Sequence, residues 1–306
     1  AGLNVVRYTV QKPWRCGGEY EEVCQLWGGF VIEGFQVEAQ CEVTLVTAYF
    51  EMESKHSKDD YHEWMRSVLS LDACMVVVTA PSTAVLFRWR DRRYTRIVQV
   101  ELEEAGMRLN RTVGFWAHQF KMDGEQFRHK SYTLYWVWAL KPVFLQDAIL
   151  SNAFKSQYFF WIDVGCLRDH AYDGRSLRTV PPQVRQFDSV FFANVADFTP
   201  EDLRLNPDHT AATSQFSDHL AGAIWGGKAS AVLAFRDAYF KVFSRLADSG
   251  GFIGKDQTVM NIACIENEQL CMLVRPKEKV YNIWFYMVPF LLGDTPGDVP
   301  YALGAA

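Results

Sequence analysis

Short apolar runs without polar alternation are the feature of this chain that most constrains its fold. The run CMVVVTAP at residues 74–81 is apolar on both strand faces, which is typical of a strand buried between two layers of helices. An amphipathic helix is predicted just before it, with Ser57 or Asp59 as its N-cap. The helix has one apolar face, formed by Tyr61, Trp64, Met65, Val68 and Leu69. Because another strand is predicted at 42–50, the strand–helix–strand order indicates parallel pairing in an α/β sheet.

The rest of the chain continues this pattern. Further strands are predicted at residues 96–102, 157–162, 189–195, 219–225 and 269–275. Helices are predicted from Pro142, a residue type favoured at the first helical position, and over residues 228–251 and 256–266. Residues 1–40 contain Gly pairs and no sustained period, so we expect an irregular N-terminal extension packed on the core.

Composition excludes some classes of protein. With 49% hydrophobic and 22% charged residues among 306, the chain is globular rather than disordered. Its net charge of −5 argues against a nucleic-acid partner. One segment, FRWRDRRYTR at residues 87–96, is an exception to this negative charge. Arginines among aromatic residues can bind a polyanion. The alternative is a solvated connection between two strands. No apolar run reaches the length of a membrane span, and a membrane anchor outside this chain stays open.

The seven cysteines do not form a CxxC pair, which argues against a zinc ribbon. Three of them lie in apolar runs and are expected to be small core residues: Cys74, Cys264 and Cys271. Three others lie in or beside the N-terminal stretch and could form one disulfide with a thiol left over: Cys16, Cys24 and Cys41. Together with the glycosylation sequon at Asn110, this favours a secretory lumen, with the cytoplasm as the alternative.

The stretch YFFWIDVG at residues 158–165 is the strongest local sign of a ligand site. Asp163 follows a hydrophobic strand directly, at the carboxyl end where open α/β sheets bind ligands. Gly165 removes a side chain and lets a ligand approach the backbone. A carboxylate in this position suits a divalent cation or a ribose hydroxyl. The alternative is that Asp163 caps the following turn.

Several segments resemble the HtrL/YibB family of glycosyltransferase-like proteins. They are TLVTAYF (44–50), WALKPVFLQDAILSNAFKSQYFFWIDVGCLRD (138–169), HLAGAIWGGKASAVLAF (219–235), KDQTVMN (255–261) and YNIWFYMVPFLL (281–292). The resemblance covers roughly residues 43–292. It implies a single GT-A type, Rossmann-like domain over residues 41–306, with a mostly parallel mixed sheet flanked by helices.

The resemblance also implies an activity. GT-A enzymes move a sugar from a nucleoside-diphosphate sugar, here above all a UDP-sugar, to a hydroxyl of a glycan or glycoconjugate. Their strand-end motif is usually Asp-x-Asp, which holds Mn²⁺ or Mg²⁺ against the diphosphate. Here the motif reads Asp163-Val164-Gly165, so the second acid of the usual pair is missing and Asp163 is the predicted metal ligand. Asp169 is a candidate substitute.

A positive group must stabilise the diphosphate leaving group, and the candidates besides a metal on Asp163 are Lys55, Lys141 and Arg168. Lys141 precedes Pro142, so the N-terminus of the predicted helix would add its partial charge. The alternative is a solvated surface lysine. The end of the first strand is expected to hold the base and ribose, and it comprises Thr47, Ala48 and Tyr49. Tyr49 would stack on the base or else pack on the first helix.

The sugar and acceptor site is expected in the segment HLAGAIWGG, with the candidates His219, Gly222, Trp225, Gly226 and Gly227. The alternatives are a structural histidine and a core tryptophan. By resemblance to retaining galactosyltransferases, Asp256 and Gln257 are the predicted catalytic pair, while the plain interpretation of Asp256 is a helix N-cap. The stereochemical course stays open. A glycosyltransferase is therefore the first hypothesis, ahead of an inactive GT-A-like binding module and a polyanion-binding protein.

Overall fold

The computed structural model describes residues 6–7, 39–168, 170–212 and 218–303. Within these ranges nine strands form one sheet in the order β1-β4-β3-β2-β5-β7-β6-β8-β9. The strands are β1 (Val6–Arg7), β2 (Val43–Tyr49), β3 (Cys74–Thr79), β4 (Thr95–Gln99), β5 (Tyr158–Ile162), β6 (Val190–Asn194), β7 (Leu220–Lys228), β8 (Cys271–Val274) and β9 (Tyr301–Ala302). Strands β1 to β5 pair in parallel, as do β6 and β8, while β7 runs antiparallel to both of its neighbours and β9 to β8.

Helices cover both faces of this sheet. They are α1 (Lys58–Ser70), α2 (Leu102–Met107), α3 (Val113–Met122), α4 (Gln126–His129), α5 (Thr133–Ser151), α6 (Pro182–Arg185), α7 (Ala229–Asp248), α8 (Asp256–Glu266) and α9 (Met287–Leu291). Helices α2, α3, α5, α7 and α8 bury their apolar side chains in the core on one face. Helices α1, α6 and α9 do so on the other face. The mostly parallel mixed sheet flanked by helices is thus confirmed, in a single Rossmann-like domain.

Helix α1 begins where the sequence pattern predicts. Ser57 is the N-cap, and its hydroxyl accepts a hydrogen bond from the Asp60 amide at 3.1 Å. The Asp60 carboxylate in turn accepts a hydrogen bond from the Ser57 amide at 3.1 Å, which completes a capping box. The alternative cap, Asp59, lies inside the helix. This cap fixes where the loop after β2 ends and α1 begins.

The predicted start of a helix at Pro142 is wrong. Helix α5 begins at Thr133 and carries Pro142 in its interior. The helix is apolar on nearly all sides because it packs deep against the sheet, and this packing holds the turns on both sides of the proline together. Lys141 therefore does not precede a helix N-terminus and gains no stabilisation from one. It is also not a surface lysine, because it is 2% exposed.

The arginine-rich segment after β3, residues 87–96, is only partly exposed to solvent. Arg90 is buried and donates hydrogen bonds to the carbonyl oxygens of Leu71 at 3.0 Å and Ala73 at 2.8 Å, and to the Thr95 hydroxyl at 3.1 Å. Arg96 is buried as well. Two of the segment's five arginines are thus buried rather than free to face a ligand. The other three, Arg88, Arg92 and Arg93, are exposed, so a polyanion-binding role stays a prediction.

The cysteines differ from expectation. Cys41 forms a disulfide with Cys74, and Cys264 forms one with Cys271. Cys41 and Cys74 meet because they lie at the amino ends of adjacent parallel strands. Cys74, Cys264 and Cys271 lie in the core as predicted, but each is part of a disulfide. A disulfide of Cys41 with Cys16 or Cys24, which the sequence also offered, is wrong, because Cys41 pairs with Cys74. Cys16 and Cys24 lie outside the described residues, as does most of the predicted extension at 1–40. Within the described ranges no helix is long and apolar enough to span a membrane.

Candidate functional site

A cleft of about 260 Å³ opens at the carboxyl ends of β2 and β5. The cleft is lined by the loop after β2, by α1, by α4 and the first turns of α5, and by the segment after β5. The lining includes Ala48, Tyr49, Glu51, Lys55, His56, Tyr61, Trp64, Arg128, His129, Leu134, Val137, Trp138, Trp161, Asp163, Gly165, Arg168 and Phe285.

Six of the residues predicted to bind a nucleotide-sugar line this cleft, namely Ala48, Tyr49, Lys55, Asp163, Gly165 and Arg168. Thr47 does not, because its side chain is buried inside the sheet. Tyr49 is 7% exposed, and its hydroxyl lies 3.2 Å from Nε2 of His62 on α1. Its ring also meets the edge of Phe87. This geometry favours packing on the first helix over stacking on a base.

Gly165 has a local packing role. A Cβ atom at this position would lie 3.1 Å from the Tyr61 ring and 3.4 Å from the Trp64 ring. The missing side chain therefore lets the aromatic residues of α1 approach the strand end closely. The expected direct approach of a ligand to the Gly165 backbone stays a prediction.

Two cations of the cleft lack acidic partners within the described residues. Lys55 makes no ion pair there, and Arg168 stacks on the rings of Trp64 at 4.6 Å and Phe285 at 5.3 Å. Desolvation of the ammonium, followed by the positive charges of Arg168 and Arg128, lowers the pKa of Lys55. The positive charges of Lys55 and Arg168 thus act on each other, while the Glu125 carboxylate opposes the effect on Lys55. Two cationic side chains without an ion-pair partner in the described residues suit an anionic ligand.

His56 lies beside these two cations and is influenced by their charges. The pKa of His56 is lowered, first by desolvation and then by the charges of Arg168 and Lys55. Its ring lies edge-on to Trp64, with 4.8 Å between centroids. A lowered pKa disfavours a further positive charge on His56. The positive charges of Arg168 and Lys55 thus act on His56 in addition to its desolvation.

Asp163 connects the cleft to a buried charge cluster. Its Oδ1 accepts a hydrogen bond of 2.6 Å from the Trp161 indole and lies 3.1 Å from the Lys141 ammonium. The side chain remains 35% exposed. Burial raises the pKa of Asp163, and the charge of Lys141 opposes that increase. Asp163 is thus held in place from behind while part of it stays accessible from the cleft.

Behind Asp163, Lys141 lies between two carboxylates. Its Nζ is 2.8 Å from Oδ2 of Asp256 and donates a 2.9 Å hydrogen bond to the Gly222 carbonyl oxygen. Burial alone would lower the pKa of Lys141, but Asp163 and Asp256 outweigh it and hold the pKa above its ordinary value. Lys141 therefore remains an ammonium. Its interior position places this cation against the carboxylate rather than against a ligand.

The predicted catalytic pair belongs to this buried layer. Asp256 is the first residue of α8, is 4% exposed, and does not cap the helix, since Lys255 is the N-cap. The Gln257 side chain donates a 2.6 Å hydrogen bond to the Leu220 carbonyl oxygen and so ties α8 to β7. A Cβ at Gly222 would lie 3.0 Å from the Asp256 carboxylate, which explains the glycine. Asp256 and Gln257 do not line the cleft, so their catalytic role stays a prediction.

The remaining acceptor-site candidates lie elsewhere. Trp225 is fully buried and stacks on Phe192 with 5.7 Å between centroids, which favours the core interpretation. Gly226 and Gly227 lie in the middle of the sheet, where β7 pairs with both β5 and β6. His219 is 4% exposed and stacks on Phe198 at 4.3 Å. The structure does not bring any of these four to the cleft.

Among the described residues, the end of β5 supplies one carboxylate, Asp163, to the expected Mn²⁺ or Mg²⁺. Within the described ranges, no three or more His, Cys, Asp or Glu side chains are arranged to hold a metal ion. Asp163, the proposed ligand, already contacts an ammonium and an indole N–H. Asp169, the candidate second acid, lies outside the described residues. Metal binding at Asp163 therefore stays a prediction, in which the diphosphate and water would supply the other oxygen ligands.

Sequence reasoning missed one constellation in the cleft, formed by His129, Asp123 and Tyr135. His129 lines the cleft, and its Nδ1 contacts Asp123 Oδ2, which also accepts a hydrogen bond from the Tyr135 hydroxyl. The three residues are separated by a turn and by the start of α5. No spacing rule singles them out, because their contact depends on how α4 folds back onto α5.

A family model matches residues 41–180. That family is described as "Bacterial protein of unknown function (HtrL_YibB)". The match supports the predicted resemblance over β2 to β5, the part of the chain with Lys55, His129 and Asp163. It ends before the segments HLAGAIWGG and KDQTVMN, and its description assigns no activity. No curated protein matches the chain.

Proposed function

We propose that this protein is a glycosyltransferase that moves a sugar from a nucleoside-diphosphate sugar, above all a UDP-sugar, to a hydroxyl of a glycan or glycoconjugate. The observation that carries the proposal is the composition of the cleft. A partly exposed carboxylate, Asp163, lies at the end of a parallel strand, in one cavity with the cations Lys55 and Arg168. Carboxyl ends of parallel strands are where such sheets bind nucleotides.

Each charged group has a task in this reaction. Breaking the bond between the sugar and the diphosphate leaves negative charge on the leaving oxygen. Lys55 and Arg168 are the cleft cations without acidic partners in the described part of the chain, so we assign them to the diphosphate. Asp163 accepts a hydrogen bond from a hydroxyl of the donor. Lys141 and Asp256 hold Asp163 in position from behind.

We expect UDP or GDP to stabilise the protein with EDTA present as well as with Mn²⁺, because the cationic side chains replace the metal. Ligand at about a hundred times its dissociation constant raises the free energy of unfolding by about 2.7 kcal/mol. The measurement is a thermal-shift titration, followed by calorimetry for the dissociation constant. Without any shift at millimolar nucleotide, the proposed site fails.

A pair of arginine variants makes this test specific. Arg168→Ala removes a cleft cation and should weaken nucleotide binding about tenfold or more, in line with a lost charge-assisted hydrogen bond of roughly 1.5–3 kcal/mol. Arg66→Ala is the matched control, because Arg66 is exposed on α1 and does not line the cleft. Equal affinities of the two variants would remove Arg168 from the diphosphate site.

A second expected result concerns Asp163→Asn. The substitution keeps the size of the side chain and removes the charge that accepts the donor hydroxyl. We expect donor affinity to fall about tenfold to a hundredfold, because a hydrogen bond to a charged group contributes about 1.5–3 kcal/mol. The measurement is calorimetric titration with a UDP-sugar. Unchanged donor affinity and turnover would leave Asp163 as a turn residue only.

One observation favours a second candidate, an inactive binding module of the same fold. Both Asp163 and Asp256 are paired with the same ammonium, which partly neutralises the two predicted active carboxylates. Such a module would bind the nucleotide but release no nucleotide from any donor sugar. Nucleotide release from donor sugars therefore distinguishes the two functions.

A further inference from the structure

His129 is the histidine of the cleft that is held by a buried carboxylate. Its Nδ1 contacts Oδ2 of Asp123, and its side chain is 11% exposed where it lines the cleft. Asp123 is 5% exposed. In a neutral imidazole only one nitrogen carries a proton. When the imidazole is neutral, its contact with the Asp123 carboxylate places that proton on Nδ1 and leaves the lone pair on Nε2.

The carboxylate that orients this ring is itself fully supported. Asp123 Oδ2 accepts a hydrogen bond from the Tyr135 hydroxyl, and Oδ1 accepts one from the Glu125 amide at 2.8 Å. Burial alone would raise the pKa of Asp123, yet the hydrogen bonds from Tyr135, the Glu125 amide and His129 lower it. Asp123 is therefore ionised at neutral pH. It stabilises a positive charge on His129 if the ring takes up a proton.

Aromatic packing fixes the plane of the ring. His129 meets Trp138 edge-on with 4.9 Å between centroids, and Trp138 also lines the cleft. Its contact with Tyr135 is edge-on as well, at 6.0 Å. Nε2 makes no hydrogen bond within the described residues. The ring is thus oriented through Nδ1 and its aromatic neighbours, and these contacts do not engage Nε2.

We propose that His129 is the general base of the transfer reaction, with Asp123 and Tyr135 as its positioning residues. The inference rests on the proposed function, because it needs a donor sugar in the same cleft. His129 Nε2 takes the proton of the acceptor hydroxyl while that oxygen bonds to the anomeric carbon. The bond from this carbon to the diphosphate oxygen breaks, and its electron pair leaves with the diphosphate. The imidazolium then returns its proton to solvent.

The geometry favours His129 over the predicted base Asp256. Asp256 is buried behind Asp163 with its carboxylate against Lys141, so it does not reach the cleft. His129 is the last residue of α4 and lines the same cleft as Asp163, Lys55 and Arg168. A base must be within hydrogen-bond reach of the proton that it takes. A direct displacement assisted by one base also predicts inversion at the anomeric carbon.

The test measures release of nucleotide from UDP-glucose, UDP-galactose, UDP-N-acetylglucosamine and GDP-mannose, with water or added glycans as acceptor. We expect His129→Ala to lower the rate about 10² to 10⁴-fold, the usual contribution of a general base. Imidazole added to the solution should restore part of the lost rate. UDP affinity should stay within about twofold of the wild type, because His129 does not contact the diphosphate in this proposal.

His170→Ala is the matched control. His170 also pairs through Nδ1 with an aspartate, Asp173 at 2.9 Å, but its side chain is 65% exposed and does not line the cleft. This variant should release nucleotide at the wild-type rate. If His129→Ala does not fold, His129→Gln replaces it, since the glutamine amide can still donate to Asp123.

The outcomes separate this inference from the proposed function. A wild-type rate in the His129 variant overturns the inference alone. A lost rate that imidazole does not restore, or that comes with lost UDP affinity, assigns His129 a structural role and overturns it too. If the wild-type protein binds UDP but releases no nucleotide from any donor, the transferase proposal fails, and the inference with it.

Discussion

Lys141→Met is expected to lower the free energy of unfolding by about 3–5 kcal/mol, the usual effect of removing one partner from a buried ion pair. Methionine matches the length of lysine but leaves Asp163 and Asp256 facing each other without a cation. It also leaves the Gly222 carbonyl oxygen without its donor. Urea unfolding monitored by far-UV circular dichroism measures the change.

Two further variants test whether the lost ion pair causes this destabilisation. Lys228→Met removes a lysine that is 44% exposed and paired with Asp188 at 2.6 Å, so it should change stability by no more than about 1 kcal/mol. Adding Asp256→Asn to Lys141→Met should recover part of the loss, because it removes one of the two uncompensated charges. A Lys141→Met protein as stable as the Lys228→Met protein would contradict a charged, ion-paired Lys141.

Gly226→Ala is expected to destabilise the protein by at least about 3 kcal/mol, the upper end of typical overpacking effects. A Cβ at this position would lie 2.1 Å from the Phe159 carbonyl oxygen and 2.5 Å from the Phe160 Cα atom. Both are backbone atoms of the neighbouring strand β5, so neither can move without breaking the pairing of β7 with β5. Thermal and urea unfolding measure the loss.

The control is Gly297→Ala, because a Cβ at Gly297 meets no atom within 4 Å. This variant should remain within about 0.5 kcal/mol of the wild type, as surface substitutions usually do. The comparison also tests the predicted sugar-site role of Gly226. A stable Gly226→Ala protein with weakened donor binding would support that role, whereas an unfolded one supports a purely structural glycine.

The strands of this fold could be predicted because their signal is local. The run CMVVVTAP is apolar on both faces, and the structure confirms it as β3, covered by helices on both sides. The N-cap Ser57 followed from residue type and helical spacing. The start of α5 could not be predicted, because an interior proline normally ends a helix. Here the buried packing of α5 overrides that local preference.

Only part of the candidate site could be predicted from the sequence. Asp163 is recognisable because a carboxylate directly after a buried strand is rare in a core. The roles of Lys141 and Asp256 were not recognisable, because the two residues lie far apart in the chain and meet only where α5, β7 and α8 pack together. Residue type alone predicts that Gly226 and Gly227 shape a ligand site, whereas a Cβ at these positions would collide with the backbone oxygen of Phe159 or Ser189.

The sequence by itself determined the α/β class, the parallel pairing of the first strands and the position of Asp163 at a strand end, since each depends on periodicity and near neighbours. Only the tertiary structure decided which charges meet. It buried Lys141 between two carboxylates, left Lys55 and Arg168 in the cleft, and brought His129 onto Asp123. Contacts between distant residues depend on how helices dock on the sheet. That docking is set by the packing of the whole core, which no short stretch of sequence encodes.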